Sequence, residues 1–191
     1  MTATKINWFP GHMKKTQREI KENLKLVDAV IEIRDARIAA SSANPDIDRL
    51  CEGKPRIILL NKSDLCEVRA TKEWINKLTS ENIMVLEVNC LTGKGLNQIK
   101  PALENLLKEK LDRLRKKGLV KMQMRVMVVG IPNVGKSSLL NALTGSETFV
   151  ENKLFATLDP LTKKLPLNES AGALITDTVG FVSNLPHHLI D

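Results

Sequence analysis

The sequence predicts an α/β protein built on a mostly parallel, doubly wound sheet. Apolar, β-branched runs of strand length recur along the chain, at Val27–Ile33 (VDAVIEI), Arg56–Leu60 (RIILL), Met84–Val88 and Arg125–Val129 (RVMVV). Between them lie helical patterns of the length that carries one parallel strand back to the next. One of the runs also feeds straight into a glycine-bounded turn, Gly130-Ile131-Pro132-Asn133-Val134-Gly135-Lys136-Ser137, and then a helix start at Ser138–Leu143.

At 191 residues the chain is long enough for one substantial core. A hydrophobic content of 42% and a charged content of 27% are those of an ordinary globular protein. No apolar run approaches a membrane span and no signal-peptide core opens the sequence, so a cytoplasmic monomer with no membrane partner is expected. Cys51, Cys66 and Cys90 are odd in number, without metal-like spacing, and fit reduced thiols. A net charge of +7 favours an anionic partner, RNA more readily than a membrane.

The first segment places Asn7-Trp8-Phe9-Pro10-Gly11-His12-Met13 before a helical pattern with Met13, Ile20, Leu24 and Val27 on one face. Trp8 and Phe9 either pack on the domain or form an exposed patch. The Val27–Ile33 strand leaves through a loop at Arg34-Asp35-Ala36-Arg37, and a short helix follows around Asp46–Cys51. The apolar run Arg56–Leu60 then ends in Asn61-Lys62-Ser63-Asp64. A carboxylate at the C-terminal edge of a parallel strand can accept from the N1 and N2 side of guanine. Asn61 can address the other edge of the base, and the Lys62 stem can lie over the ring. Adenine lacks the donor pair that Asp64 would read. Thr71–Leu78 gives a helix with Trp74 and Leu78 on one side.

After Met84–Val88 comes Asn89-Cys90-Leu91-Thr92-Gly93-Lys94-Gly95, a loop whose position suits a backbone N–H contact with the guanine O6. Asn89, Cys90 and Leu91 are the candidates, and Cys90 reads as a small turn residue rather than a nucleophile. Leu96 to about Lys117 reads as one long helix with an apolar stripe of Ile99, Leu103, Leu106, Leu107 and Leu114. Its end, Lys108–Gly118, carries six basic residues against two acidic ones. These charges suit the helix dipole, with Gly118 as the stop, and they equally suit a phosphate-backbone patch.

The turn Gly130–Ser137 fits G-x-x-x-x-G-K-[ST], the phosphate-cradling P-loop. Backbone N–H groups from Asn133, Val134, Gly135, Lys136, Ser137 and Ser138, together with the positive helix end, would face one anion. Lys136 would bridge the outer phosphates and Ser137 would hold Mg²⁺. Lys163–Leu167 and Ala173–Thr176 read as two further strands, the second ending in Asp177-Thr178-Val179-Gly180. Asp177 can hold a Mg²⁺ water and the Gly180 N–H can meet the γ-phosphate. Thr157 is the first candidate for a switch threonine that completes Mg²⁺ coordination, and Thr162 the second. Together these elements describe a GTP/GDP sensor.

The motif order is rotated. Small GTPases present the P-loop, switch threonine, DxxG, NKxD and base loop in that order. Here NKSD and the base loop come first, so the old termini must be joined through the basic stretch 108–121. NWFPGHM, AVIEIRDARI, RIILLNKSD and GIPNVGKSSLLNAL, from Asn7 to about Leu143, resemble the circularly permuted GTPases of the YlqF/RbgA ribosome-assembly family. The remainder, with FVENKLFATLDPLT, DTVGF and LPHHL, resembles HflX, a ribosome-associated GTPase with ordinary motif order, as in a chimera or a divergent natural relative. The C-terminal RNA-binding domain of the YlqF family is not among the 191 residues.

The resemblance implies a P-loop GTPase G domain, circularly permuted, spanning 1–191. Its parts are an N-terminal segment and helix at 1–26, a guanine-recognition half at 27–107, a basic connection at 108–123, and a P-loop and switch half at 124–191. It implies GTP and GDP as ligands, Mg²⁺ as cofactor, and the large ribosomal subunit or its rRNA as partner. Phe181 stands where a water-orienting glutamine is usual, so slow turnover by Lys136 and Thr157 is expected. Two substitutes follow from the resemblance. Asn133 matches an asparagine that helps bind K⁺ in K⁺-dependent relatives. His12 matches a histidine proposed as catalytic, and reads equally as a capping or surface residue. The N-terminal helix Met13–Leu26 is expected to fill the helix slot before Val27, leaving Leu185–Asp191 beside it.

Overall fold

The computed structural model describes residues 21–144 and 162–177. They form six strands and five α-helices around one sheet. The strands are β1 (Ala29–Asp35), β2 (Arg56–Asn61), β3 (Ile83–Glu87), β4 (Met122–Val129), β5 (Thr162–Pro166) and β6 (Ala171–Asp177). The helices are α1 (Pro45–Leu50), α2 (Val68–Leu78), α3 (Ile99–Leu106), α4 (Lys108–Lys116) and α5 (Lys136–Thr144). The sheet order is β3-β2-β1-β4-β6-β5, parallel throughout except for the edge pair β5–β6. This is the circularly permuted G-domain arrangement that the motif order predicts.

Alternation along each strand divides the core in two. Ile31 and Ile33 of β1, Ile57 and Leu59 of β2, and Val126 and Val128 of β4 face α3, α4 and α5. On the other face, Val30, Met127 and Val129 pack with Ile47 of α1, while Ile58 and Leu60 pack with Trp74, Ile75 and Leu78 of α2. Both faces of the central strands are buried, which is why they read as near-continuous apolar runs. Leu24 and Val27 are buried in the α1-side cluster. They belong to the helical turn and short link that enter β1; the rest of the expected N-terminal helix, before Lys21, and Leu185–Asp191 lie outside the described residues.

Several boundaries move. β1 begins two residues later than expected and runs through Arg34 and Asp35, where the sequence predicts a loop. α2 starts at Val68, and β4 begins at Met122, inside the stretch assigned to the basic connection. The long helix from Leu96 is not continuous: a 3-10 turn at Leu96–Gln98 leads into α3, and Leu107 (φ −98°, ψ 3°) breaks the path before α4. Leu103, Leu107 and Leu111 are all buried in the same core cluster across the break. α4 ends in a Schellman closure, with Leu119 N–H donating to Leu114 O (3.3 Å) and Gly118 N–H to Arg115 O (2.9 Å). Asp28 then fastens the permuted junction: its carboxylate pairs with Lys110 of α4 and accepts from the Arg125 N–H of β4 at 2.7 Å.

The α1 side of the sheet also holds charge. Glu32 of β1, 1% exposed, accepts from Arg34 Nε at 2.6 Å and from the Arg56 guanidinium at 3.1 Å. Arg56 also reaches Asp48 of α1 at 2.7 Å. Removing one member of a buried ionic network leaves the others buried without a counter-charge. Glu32→Ala should therefore destabilise the domain by about 3–5 kcal/mol in urea denaturation. A loss below about 1 kcal/mol would place the network among weakly contributing surface pairs.

Candidate functional site

The expected site residues converge because β1 and β4 lie side by side while their connections depart in opposite directions. β1 leads toward β2 and β3, and β4 toward β6. The crevice beyond the carboxyl ends of such strands is the topological switch point, where open α/β sheets bind ligands. The P-loop leaves β4 there, Asn61-Lys62-Ser63-Asp64 leaves β2, the Asn89 loop leaves β3, and Asp177 closes β6.

The P-loop turn is possible only with its glycines. Gly135 has φ +105°, and a Cβ there would lie 2.4 Å from Asn61 Nδ2. Gly130 has φ +155°, and a Cβ would lie 2.7 Å from the Ile33 carbonyl oxygen. Asn133 adopts φ 62°, a left-handed conformation that asparagine tolerates better than most residues. Lys136 opens α5 and folds back, its Nζ donating to the carbonyls of Gly130 and Ile131, each at 3.0 Å. Burial lowers its pKa, and the negative charge of Asp177 partly opposes that fall. An anion arriving at this ammonium would offset the same burial cost. Ser137 is exposed in the first turn of α5, and Asp177 stands in register with Val128, two residues before the P-loop. A hydroxyl and a carboxylate are hard oxygen donors of the kind Mg²⁺ takes alongside phosphate oxygens. The two residues fit that ion.

The two halves of the chain are stitched together at this edge. Asn61, 4% exposed, donates from Nδ2 to the Val134 carbonyl of the P-loop at 2.7 Å and accepts from the Cys90 N–H of the base loop at 3.0 Å. Lys62, itself at φ 62°, extends its Nζ to the Asn133 carbonyl at 3.3 Å. Asp64 sits exposed in a 3-10 turn, Ser63–Leu65, whose Ser63 N–H is bonded to Val88 O at 3.3 Å.

Several of the expected site residues have protein partners in this structure. The Asn61 amide has a protein partner at each end and so ties the P-loop to the base loop, with one N–H and one lone pair left beyond these two bonds. The base-loop amides are likewise taken: Cys90 by Asn61, and Leu91 and Thr92 by Asn89 Oδ1 at 2.8 and 3.0 Å. Cys90 is buried and desolvation pushes its thiol up to about 11, in keeping with a turn residue. Thr162 lies within β5, buried, its hydroxyl 3.0 Å from that of Thr176, and so is not a loop hydroxyl for a switch. His12, Thr157, Gly180 and Phe181 lie outside the described residues.

Sequence reasoning assigned no site role to Asp35 or Arg37. Asp35 ends β1 at this same edge, and its carboxylate accepts from Lys62 Nζ at 2.9 Å. It also accepts a two-point contact from Arg37, at 3.0 Å from Nε and 2.7 Å from the terminal nitrogen. The Arg37 hydrogen bonds, helped by Lys62, outweigh desolvation and hold the carboxyl well below the usual carboxylate range. An acidic residue closing the strand beside the P-loop strand was the available signal.

Comparison with known proteins agrees with this geometry. Residues 125–190 match the 50S ribosome-binding GTPase family. The chain is 51% identical over 138 residues to ribosome biogenesis GTPase A of Bacillus licheniformis, covering 72% of this chain and 49% of that protein. A probable ribosome biogenesis GTPase A of Mycoplasma pneumoniae is 37% identical over 181 residues, which is 94% of this chain and 61% of that one. That second alignment runs through Leu143, where the resemblance to HflX begins. The crystal structure of GNP-bound YlqF from T. maritima superposes with a TM-score of 0.59 at 28% identity, over 91% of this chain and 60% of that one. The chain spans about half the length of the Bacillus relative.

Proposed function

From its homology with ribosome biogenesis GTPase A and the circularly permuted GTPase domain it carries, we propose that this chain binds GTP and hydrolyses it slowly to GDP and phosphate. The observation that supports this most is the Asn61 bridge. It holds the phosphate loop and the base loop at one sheet edge, with Asp64 beside them. In this reading residues 1–191 act as one domain and a monomer in the cytoplasm, and the partner is the large ribosomal subunit or its rRNA. Names of relatives and the positive charge support that partner.

The residue roles follow the geometry. Amides of Asn133 to Ser138 surround the phosphates, and Lys136 exchanges its two carbonyl partners for phosphate oxygens. Ser137 and Asp177, with Thr157, would hold Mg²⁺, which neutralises developing phosphate charge. Gly180 would contact the γ-phosphate. Asp64 reads the guanine N1–H and N2–H₂, and Lys62 covers the ring. Asn61 acts through the loops it joins, and the amides of Asn89, Cys90 and Leu91 would be shared with the base. Asn133, whose left-handed turn sets it exposed at the phosphate loop, would contribute to a K⁺ site, and His12 would assist attack by water. Phe181 in place of a water-orienting glutamine favours a second reading, a GTP-gated binding module with little hydrolysis.

Asp64→Asn tests the base assignment. It should weaken GTP and strengthen xanthosine triphosphate, whose C2 carbonyl would accept from the new amide; unchanged GTP affinity removes Asp64 from the site. Hydrolysis should stop on chelation of Mg²⁺ and run faster in K⁺ than in Na⁺ at matched ionic strength. Equal rates in the two salts would reject the ion role of Asn133, and no turnover with either salt, even with ribosomal subunits added, would favour the binding-module reading.

A further inference from the structure

We propose that Asp35 is a positioning residue for guanine-nucleotide binding: it holds the Lys62 ammonium over the crevice between the NKSD turn and the P-loop. The inference rests on the guanine reading of Asn61–Asp64 and extends it to a strand that carries no recognised nucleotide motif.

The geometry comes from three directions. Among the described residues Lys62 has two partners, and Asp35 Oδ2 at 2.9 Å is the shorter contact; the Asn133 carbonyl lies at 3.3 Å. A neutral carbonyl alone would leave a flexible four-carbon stem poorly fixed, whereas a charge-assisted contact defines where its end rests. Asp35 is itself held in place. Its backbone N–H donates to Ser42 Oγ at 3.0 Å, and its carboxylate accepts from the Arg37 N–H at 3.1 Å. Its side chain is 6% exposed, against 31% for Lys62 and 47% for Arg37. A nearly buried carboxylate thus anchors two cations that reach outward. The Arg37 pair keeps that carboxylate ionised, so its grip on Lys62 does not depend on solution conditions near neutrality.

This placement matters because Lys62 spans both halves of the site. One end of its path is fixed by the left-handed turn at φ 62°, the other by Asp35 and the P-loop carbonyl. Without Asp35 the ammonium keeps its charge but samples more orientations, and each binding event must order it again. Asp35 touches no part of the ligand in this account. Its effect on affinity passes through Lys62.

A double-mutant cycle on the full chain tests this, with dissociation constants for fluorescent GDP measured for wild type, Asp35→Asn, Lys62→Met and the double variant. Asp35→Asn alone should weaken GDP about tenfold, within the range of coupled neighbours, and should add little once Lys62 is Met. Additive losses, or an unchanged affinity in Asp35→Asn, overturn the inference while leaving the guanine reading intact. If Asp35→Asn does not fold, Asp35→Ser enters the same cycle. Failure of both to fold assigns Asp35 to the fold alone and overturns the inference. Absence of GDP binding by the wild-type chain overturns the guanine reading, and this inference with it.

Discussion

The side-chain amide of Asn61 is the contact on which the rest of the site depends. It joins the Val134 carbonyl, 73 residues away in sequence, to the Cys90 N–H, 29 residues away. Its donor and its acceptor are each used once, inside the protein and away from water. A buried amide with both ends bonded is costly to disturb, because breaking either bond strands a desolvated group. Gly135 shows how close the approach is, since any side chain there would collide with the same amide. The phosphate loop and the base loop are therefore held at a fixed separation before any ligand arrives, which lowers the ordering cost of binding.

Permutation of the chain changes which elements are covalently linked and leaves this arrangement standing. The junction from β3 to β4 is built as two short helices, α3 and α4, that meet at Leu107 and both bury leucines in the core. Asp28 then secures the arrival of β4 by bonding both α4 and the Arg125 N–H. The P-loop strand is thereby seated beside β1, whose own last residue, Asp35, faces the NKSD lysine. A connection that would otherwise be a loose linker becomes part of the packed layer.

The readable parts of the sequence were those governed by local pattern. Uniformly apolar runs such as RIILL announced strands buried on both faces, and the order of NKSD and the P-loop announced the rotated topology. Glu32, Arg34 and Arg56 were opaque because burial of a charge depends on partners from β1, β2 and α1 that no window of sequence shows. The break at Leu107 was hidden for a related reason: the spacing of Leu103, Leu107 and Leu111 is satisfied by a straight helix, so no sequence pattern marks it. The bonds from Asn61 to Val134 and Cys90 were not legible, since a motif reports which residues gather and not which hydrogen bonds they exchange. The role of Asp35 is not legible in sequence, because its partner Lys62 lies 27 residues away.

If the Asn61 bridge and Asp64 together build a guanine site before ligand arrives, the unmodified chain should already distinguish bases. Competition against a fluorescent guanine nucleotide measures this directly. GDP and GTP should each displace the probe at stoichiometric or low excess, while ATP at a hundredfold excess should leave it bound. Displacement by ATP at the same concentration as GTP would contradict the account, because phosphate binding alone would then explain the affinity.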